Sequence, residues 1–384
     1  MNKRIFISAG EASGDLHAAG LISELKRIDG SYEFWGLGGD RLRSEGTETA
    51  YDITDLSTMG FAEVLKKIPF FRNVYHSIIS RFEMEKPDAA ILVDYPGMNF
   101  KFAKRLDRMG VPFVYYIQPQ AWAWNKRRIR KMRKWNAKFI SILPFEPEFF
   151  RKNGLEVEYY GHPLVDKSTP DLRRGRFRRE HGVKKNDFLI AVLPGSRLQE
   201  IKSILPTALE AIKKVRDKHA QVRIICRPFD QHQNILYEQI IERIKLNVEV
   251  YNGNLHNLLN AADLTLVTSG TATVEAAISR SPAIVMYKTN QMTYLIARSL
   301  IRVKNIAMAN LIAGEEVYPE LIQSKLNRKR LAKEIRRFIE DDAFSRDVRV
   351  RISKVAELLG GGQAYKKAAE SVNRFFFGRK RIRR

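Results

Sequence analysis

Short runs of β-branched and apolar residues alternate with helical patterns along most of this 384-residue chain. Such alternation favours βα units, in which parallel strands form a sheet with helices on both of its faces. The strands predicted in this way are 5–8, 89–93 and 113–117, then 189–193, 222–226, 248–251, 264–267 and 283–287. The sequence therefore predicts an α/β protein built from doubly wound domains.

Two domains are expected, because one domain usually holds roughly 100 to 200 residues. The stretch 160–171 contains a glycine, two prolines and several polar residues, which is typical of a linker. We therefore predict an N-terminal domain over residues 1–165 and a second domain over 166–340. Residues 341–384 are predicted to form charged helices that cross back to the first domain, followed by a basic tail.

The composition narrows the class of protein. The chain carries 67 Lys and Arg against 43 Asp and Glu, a formal net charge of +24, so an anionic partner is expected. Nucleic acid, phospholipid and phosphorylated substrates all match this charge. The single cysteine, Cys226, excludes an intramolecular disulfide and a multi-cysteine zinc site, and it favours a cytoplasmic location. No run of about 18 uncharged apolar residues predicts a transmembrane helix.

Two loops in the first half place acidic side chains after predicted strands. Glu11 and Asp15 lie in a glycine-containing turn between the first strand and a helix, and both favour recognition of sugar hydroxyls, since carboxylates repel phosphate. Asp94 follows the strand 89–93, where ligands of doubly wound sheets bind. A carboxylate at this point is suited to act as a general base. A structural turn at Glu11 and a helix cap at Asp94 are the alternatives.

Aromatic and basic residues follow the third predicted strand. Trp122 and Trp124 precede the segment 126–134, in which seven of nine residues are basic. Indole rings stack on sugars and contact acyl chains, and they also fill cores. The basic segment fits either a solvated helix or a site for anionic lipid or phosphate.

A second aromatic segment lies further upstream. Apolar positions between Phe61 and Phe82 recur at nearly helical spacing, which is typical of a core-facing helix. Within it, residues 66–72 read KKIPFFR, which predicts a helix break with two aromatic rings beside cations, as in a membrane-surface anchor. The residues assigned to acceptor or membrane contact are Phe61, Val64, Leu65, Ile68, Phe70, Phe71, Trp122 and Trp124.

The loop after the strand 189–193 is a candidate for pyrophosphate binding. Gly195 and Ser196 bring backbone and hydroxyl donors close to a ligand, and Arg197 adds a fork of guanidinium donors. A structural Pro-Gly turn is the alternative.

The loop after the strand 264–267 has a similar character. Ser269, Gly270 and Thr271 precede a helix whose first amides would face a phosphate. Glu275 lies one turn into that helix and is suited to hold a ribose or sugar diol. Its alternative role is to complement the helix dipole. Both loops together favour nucleotide binding.

Eight ordered segments together resemble the lipid-A-disaccharide synthase family. They are AGEASGD at 9–15, MGFAEVL at 59–65, DYP at 94–96, WAW at 122–124, GHP at 161–163, LPGSR at 193–197, SGTA at 269–272 and NLIAG at 310–314. The resemblance covers nearly the whole chain. It implies two Rossmann-like domains that face each other across a cleft, as in glycosyltransferases of the GT-B type.

The resemblance also implies a reaction. It is the transfer of 2,3-diacylglucosamine from its UDP conjugate to the 6-hydroxyl of 2,3-diacylglucosamine 1-phosphate, with inversion and without a metal or a cofactor. It further implies that Asp94 is the base, that Glu11 belongs to the active-site loop, and that Arg197, Glu275 and Asn310 serve donor binding or activity. We expect such an enzyme on the anionic inner face of the cytoplasmic membrane.

Two other functions stay open from the sequence. An enzyme similar to UDP-N-acetylglucosamine 2-epimerase would share the fold, but it would not need a basic, aromatic membrane patch. A nucleic-acid-binding protein would fit the net charge and would bind with strong salt dependence, but the glycine-containing loops would stay unexplained. We therefore expect no nucleic acid partner. The arginines that motivate this second alternative are Arg173, Arg174, Arg176, Arg178 and Arg179.

Overall fold

The structure is a computed structural model that describes residues 2–56, 67–123, 126–291, 294, 298 and 305–378. The chain forms two compact units. One contains the residues up to Asp166 together with the segment from Gly362, and the other contains Lys167–Gly361. Each unit is an α/β fold around its own parallel sheet. Four predicted contact residues lie outside the described residues, namely Phe61, Val64, Leu65 and Trp124.

The sheet of the first unit has seven strands in the order β3-β2-β1-β4-β5-β6-β7, and the pairs are parallel. The order changes direction between β1 and β4, which is the point where ligands of doubly wound sheets bind. The strands are β1 (Lys3–Ala9), β2 (Tyr32–Gly38), β3 (Glu48–Asp52), β4 (Ala89–Val93), β5 (Phe113–Tyr116), β6 (Ala137–Ser141) and β7 (Glu158–Tyr159).

The sheet of the second unit has six parallel strands in the order β10-β9-β8-β11-β12-β13, with the change of direction between β8 and β11. The strands are β8 (Phe188–Leu193), β9 (Val222–Cys226), β10 (Glu249–Val250), β11 (Leu264–Thr268), β12 (Ala283–Tyr287) and β13 (Glu320–Ile322).

Helices follow most of the strands. In the described chain they are α1 (Ala12–Ile28), α2 (Asp40–Ser44), α3 (Ile53–Leu56), α4 (Ile68–Met84), α5 (Pro96–Arg108), α6 (Arg127–Met132), α7 (Glu146–Lys152), α8 (Arg174–Glu180), α9 (Leu198–Arg216), α10 (Asn234–Ile244), α11 (Leu255–Ala261), α12 (Thr271–Ile278), α13 (Met308–Ala313), α14 (Arg328–Glu340), α15 (Asp342–Leu358) and α16 (Ala364–Phe377).

Alternate residues of the central strands in the first unit face opposite helical layers. Phe6 and Leu92 belong to one buried cluster, together with residues of α4 and α5. Ile5 and Ile91 belong to another, together with residues of α1 and α16. A parallel sheet requires cover on both faces, and this explains why its strands are almost uniformly apolar.

The last described helix completes the first unit. Tyr365 and Val372 of α16 are buried in the cluster that includes α1, and the Tyr365 hydroxyl lies 3.0 Å from Nδ1 of His17. The carboxylate of Asp166, where the chain leaves this unit, accepts hydrogen bonds from the backbone N–H groups of Ala364 and Tyr365. Hydrogen bonds therefore connect the residue at which the chain leaves the first unit to the residues at which it returns.

The return to the first unit occurs later than the predicted residue 341. Helix α15 belongs to the second unit, where its Val348, Ile352 and Val355 side chains are buried, and the return begins at Gly362. The charged sequence of this helix concealed its apolar face.

The predicted helix break at residues 66–72 lies partly outside the described residues, and its described part is the start of a helix. Pro69 lies in the first turn of α4, which begins at Ile68. A proline is tolerated there because its missing N–H has no partner within the helix. The segment therefore starts a helix whose Val74, Ile78 and Phe82 side chains are buried.

Contact between α1 and α16 gives a stability prediction. A Cβ atom at Gly20 would lie 2.5 Å from Cζ of the Tyr365 ring, whereas nothing lies within 4 Å of that position at Gly30. We expect Gly20→Val to lower the free energy of unfolding by about 2 kcal/mol or more, because the added side chain must displace a buried ring. Chemical denaturation measures this. Gly30→Val is the matched control, and an equal loss in both variants would contradict the packing.

Candidate active site

The two predicted acidic loops of the first unit lie side by side. Strands β1 and β4 are neighbours, with Ala9 paired to Val93, so the loop that carries Glu11 and the residue Asp94 leave the sheet at the same edge. This is the switch point of the sheet. The Glu11 side chain is exposed, whereas Asp94 is partly buried.

Burial, and to a smaller extent the negative charge of Glu11, raise the pKa of Asp94 to about 6. A hydrogen bond from the backbone N–H of Tyr95 opposes this shift. A carboxyl group with a pKa near 6 is largely ionised at neutral pH and still has a useful affinity for a proton. Both properties suit a general base.

The backbone at the end of β4 is strained. Asp94 and Tyr95 both have a φ of +46°, in the left-handed region that few residues other than glycine adopt. Asn99 holds this turn, because its Nδ2 donates to the carbonyl oxygens of Asp94 (2.8 Å) and Val93 (3.1 Å). The Tyr115 hydroxyl also donates to the carbonyl of Asp94, at 3.0 Å. Such strain persists only where the surroundings fix it.

Asn99 was missed in the sequence analysis. It is fully buried in α5, and its Oδ1 accepts a hydrogen bond of 2.6 Å from the hydroxyl of Ser8. The only signal in the sequence was a polar residue at a position that helical spacing turns toward the sheet.

Gly10 is required by the Tyr95 ring. A Cβ atom at Gly10 would lie 2.4 Å from Cγ of Tyr95, so the ring covers the loop that precedes Glu11. The glycine in this motif therefore allows close approach of an aromatic ring.

Asp15 has a structural role, and the hydroxyl recognition expected of it is not supported. The side chain is buried, and its carboxylate accepts hydrogen bonds from the backbone N–H groups of Gly39 (2.7 Å) and Arg41 (3.1 Å) at the start of α2. These bonds satisfy amides that a helix leaves without partners. Asp15 thus connects α1 to the loop after β2.

Trp122 contacts a buried carboxyl group. Its Nε1 donates a hydrogen bond of 2.8 Å to Oε1 of Glu146, and its ring packs edge to face on Phe145 at 5.1 Å between centroids. Glu146 was not singled out in the sequence. Nothing in its local pattern distinguishes it from an ordinary acidic residue in the first turn of a helix.

The described part of the predicted membrane segment is only partly exposed. The Ile68 side chain is 51% exposed. Phe70 and Phe71 pack against the buried cluster that contains Phe82, and the Phe70 ring also contacts Tyr51, with centroids 6.3 Å apart. Two of the three apolar residues therefore have a structural role as well.

In the second unit, the two predicted nucleotide loops follow the strands that flank the switch point. Gly195, Ser196 and Arg197 come after β8, and Ser269 comes after β11. The two strand ends are joined by a hydrogen bond of 3.2 Å from the Thr268 hydroxyl to the carbonyl of Leu193.

The β8 loop presents one cation to solvent. Gly195 has a φ of +122°, and a Cβ atom there would lie 2.3 Å from Oε2 of Glu200. Glu200 also accepts a hydrogen bond of 3.4 Å from the backbone N–H of Arg197. The Arg197 side chain is 62% exposed, and although its Nη1 lies 3.7 Å from Oε1 of Glu200, an anion can reach the guanidinium group from solvent.

The β11 loop is open at its glycine. Gly270 has a φ of +145°, and no atom lies within 4 Å of the position that a Cβ would take. Thr271 is the first residue of α12 and is exposed. A ligand can therefore approach the backbone closely at this turn.

Glu275 lies on α12 and is partly buried. Burial raises its pKa to about 7, and the charge of Arg227 opposes the shift. Arg227 follows β9, so a cation and a carboxyl group from two different strand ends act on each other near the same edge of the sheet.

Asn310 is fully buried, and its amide group is fully used inside the protein. Its Nδ2 donates to the carbonyl of Tyr318 and to Glu320, and its Oδ1 accepts from the backbone N–H groups of Val317 and Tyr318, all at 2.8 or 2.9 Å. A direct hydrogen bond to a donor substrate would have to replace one of these. The geometry assigns it to positioning.

Glu320 extends this network toward Ser269. Its carboxylate accepts hydrogen bonds from the backbone N–H groups of Ile306 and Ala307, and the carbonyl of Ile306 accepts one of 3.3 Å from the Ser269 hydroxyl. Hydrogen bonds through Glu320 and the backbone of Ile306 therefore connect Asn310 to Ser269 in the β11 loop.

Comparison with known proteins places the chain among glycosyltransferases. A family model described as lipid-A-disaccharide synthetase matches residues 5–374. A lipid-A-disaccharide synthase of Geobacter metallireducens is 34% identical over 368 residues, which covers 96% of this chain and 96% of the relative.

Solved structures share the fold. A UDP-GlcNAc 2-epimerase from Neisseria meningitidis bound to UDP-GlcNAc has a TM-score of 0.64 and 12% identity, covering 96% of this chain and 99% of that one. MurG from Acinetobacter baumannii has a TM-score of 0.60 and 14% identity, covering 97% and 100%. Identities this low indicate the fold alone, which is that of two Rossmann-like domains, as in GT-B glycosyltransferases.

The raised pKa of Asp94 predicts a dependence of stability on pH. Because the pKa rises from 3.8 to about 6 on folding, the folded protein binds the proton more tightly. Stability from this group is present below about pH 4 and is lost as the pH rises to about 6. We expect Asp94→Asn, which keeps an acceptor for the Tyr95 N–H, to raise the free energy of unfolding at pH 7.5 by on the order of 2 kcal/mol.

Denaturation of wild type and variant between pH 4 and pH 8 measures this effect. Glu11→Gln is the control, because removal of that charge should move the loss of stability to lower pH. Parallel curves for wild type and Asp94→Asn would show that Asp94 is not buried as an ion.

Proposed function

Since this chain belongs to the family of lipid-A-disaccharide synthetases, we propose that its donor is UDP-2,3-diacylglucosamine and its acceptor 2,3-diacylglucosamine 1-phosphate. The chain is thus a glycosyltransferase of lipid A disaccharide synthesis that uses a UDP-sugar and a lipid-linked substrate. The products are the β-1,6-linked disaccharide 1-phosphate and UDP. The epimerase alternative is not favoured, because the family model and the full-length relative both have the synthase activity in their names.

Asp94 acts as the general base. Its carboxylate takes the proton from the 6-hydroxyl of the acceptor while that oxygen forms a bond to the anomeric carbon of the donor. The bond from this carbon to the diphosphate breaks, UDP leaves with the electron pair, and the configuration inverts. The observation that supports this role is a partly buried carboxyl group with a pKa of about 6 at the switch point of the first sheet.

The loops of the second unit bind UDP. The guanidinium group of Arg197 and the backbone amides around Ser196 and Thr271 oppose the charge that develops on the diphosphate as it leaves. Glu275 accepts hydrogen bonds from the ribose. Its carboxyl group is partly buried, and the charge of Arg227 lowers its pKa. Both observations support this role.

The acceptor and the membrane are contacted by aromatic residues of the first unit. Trp122 packs against the acceptor sugar, and the segment that begins with Phe61 contacts acyl chains at the inner face of the cytoplasmic membrane. The exposed side chains of Ile68 and of the basic segment 126–134 support this. None of the described helices combines the length and the apolar character needed to cross a membrane.

Activity tests the proposal directly. Purified protein incubated with both acylated substrates should release UDP, and kcat/KM should rise as the pH increases through about 6, because Asp94 must lose its proton. Asp94→Asn should lower kcat at least about 100-fold, the usual contribution of a general base. Asp40→Asn, whose side chain is 95% exposed in the same unit, should keep full activity. Full activity in Asp94→Asn would remove the base from the mechanism.

Vesicle binding tests the membrane surface. Ile68→Ser should weaken binding to vesicles that contain phosphatidylglycerol several-fold, since full burial of an isoleucine contributes roughly 1.5 to 3 kcal/mol and Ile68 is already about half buried in the protein. Ile235→Ser is the matched control, because Ile235 is 68% exposed and lies in the second unit. Substitution of Phe70 or Phe71 would disturb the core and is less informative. Equal vesicle binding by wild type and Ile68→Ser would place the membrane contact elsewhere.

A further inference from the structure

The proposed mechanism does not use one buried carboxyl group, Glu146, whose pKa is raised in part by the charge of Asp94. Glu146, the first residue of α7, is only 2% exposed. It accepts hydrogen bonds from Trp122 Nε1 (2.8 Å), from Gln118 Nε2 (3.1 Å) and from the Ser141 hydroxyl. A buried carboxyl group requires such partners, and these three join the loop after β5 to the end of β6.

The loop held by Glu146 begins with strained backbone. Ile117 has a φ of +60°, which is rare for a β-branched residue, and its N–H donates a hydrogen bond of 2.9 Å to the carbonyl of Ile140. Asp94 and Tyr95, after the neighbouring strand β4, also have positive φ. Three of the seven such non-glycine residues in the described chain therefore lie at two adjacent strand ends. Strain of this kind clusters at functional sites.

Gln118 adds an unsatisfied group at the same place. The residue is 2% exposed, its Nε2 is used by Glu146, and its Oε1 has no hydrogen-bond partner within the structure described. A buried acceptor without a partner costs free energy, so this oxygen would gain from a hydrogen bond to a bound molecule.

We propose that Glu146 is a positioning residue for the glycosyl transfer, whose carboxyl group fixes Gln118 and Trp122 beside Asp94 so that the indole ring forms a rigid wall for the acceptor sugar. The proposal rests on the acceptor role of Trp122 in the proposed function. Glu146 acts through Trp122 and takes no part in the chemical step.

The charge state of Glu146 gives a direct measure of this coupling. Burial, and to a smaller extent the negative charge of Asp94, raise its pKa to about 7, while the hydrogen bonds from Ser141 and Trp122 oppose the shift. Asp94 is the charged group that acts on Glu146, and Glu11 acts in turn on Asp94. Ionisation of Glu146 near neutral pH therefore changes the hydrogen bond that the Trp122 indole donates.

Tryptophan fluorescence of the full chain tests the coupling without substrates. Wild-type emission should show a transition near pH 7. Glu146→Gln, which keeps an oxygen acceptor but cannot ionise, should remove that transition, and so should Trp122→Phe. A transition that persists in Glu146→Gln would overturn the assignment of Glu146 to the position of Trp122.

Kinetics with both acylated substrates test the positioning. Glu146→Ala should raise the KM for the acceptor roughly tenfold while the KM for the donor stays within about twofold, because a hydrogen bond to a charged group is lost. Glu146→Gln should restore the acceptor KM. Equal changes in both KM values, or an unchanged acceptor KM, would contradict the proposal.

Glu158→Ala is the matched control for loss of stability. Glu158 lies in the same unit, and its carboxylate also has three side-chain partners, namely Lys138, Tyr160 and Ser371. This variant should be less stable with an unchanged acceptor KM, and an effect on that KM as large as in Glu146→Ala would overturn the proposal. A wild-type protein without transfer activity would count against the proposed function alone, since the fluorescence transition does not depend on turnover.

Discussion

Holding the Asp94 carboxyl group in a partly buried position is the physical constraint on which the candidate site of the first unit depends. An isolated carboxylate is costly to bury, and here the nearby charge of Glu11 adds to that cost. The surrounding fold resists relaxation, because Asn99 and Tyr115 both bind the carbonyl of Asp94 and fix the left-handed turn. Buried polar residues near the site therefore hold in place a carboxyl group that lowers the stability of the unit at neutral pH, as is common where function and stability conflict.

The strands that are buried on both faces were predicted well from the sequence. Strands 89–93, 222–226 and 283–287 coincide with β4, β9 and β12, because a strand buried on both faces is apolar along its whole length. Strand β2 was missed, since Glu33 and two glycines interrupt its apolar pattern. Strand β6 was missed for a similar reason, because a lysine stands in its short run.

Site residues that directly follow a strand could be predicted from the sequence. Residues that matter through side-chain contacts with distant parts of the chain could not. Asp94 and Arg197 were found from the residues that follow apolar runs, but whether both serve one reaction stays a prediction. Glu146 and Asn99 could not be found in this way, because their importance lies in partners distant in sequence, such as Trp122 and Ser8. Conversely, the spacing that suggested a ligand role for Asp15 could not reveal that backbone amides already use its carboxylate.

The first unit is discontinuous in sequence, whereas the second is one uninterrupted segment. A chain emerging from the ribosome therefore has every strand of its first sheet long before it has α16, the helix that covers α1. Until Tyr365 has been synthesised, the apolar surface around Gly20 is not covered by α16. Residues 167–361, in contrast, already include every strand of the second sheet. The part of the protein that is translated first is thus the part that is finished last, and a newly made chain must shield that surface during the delay.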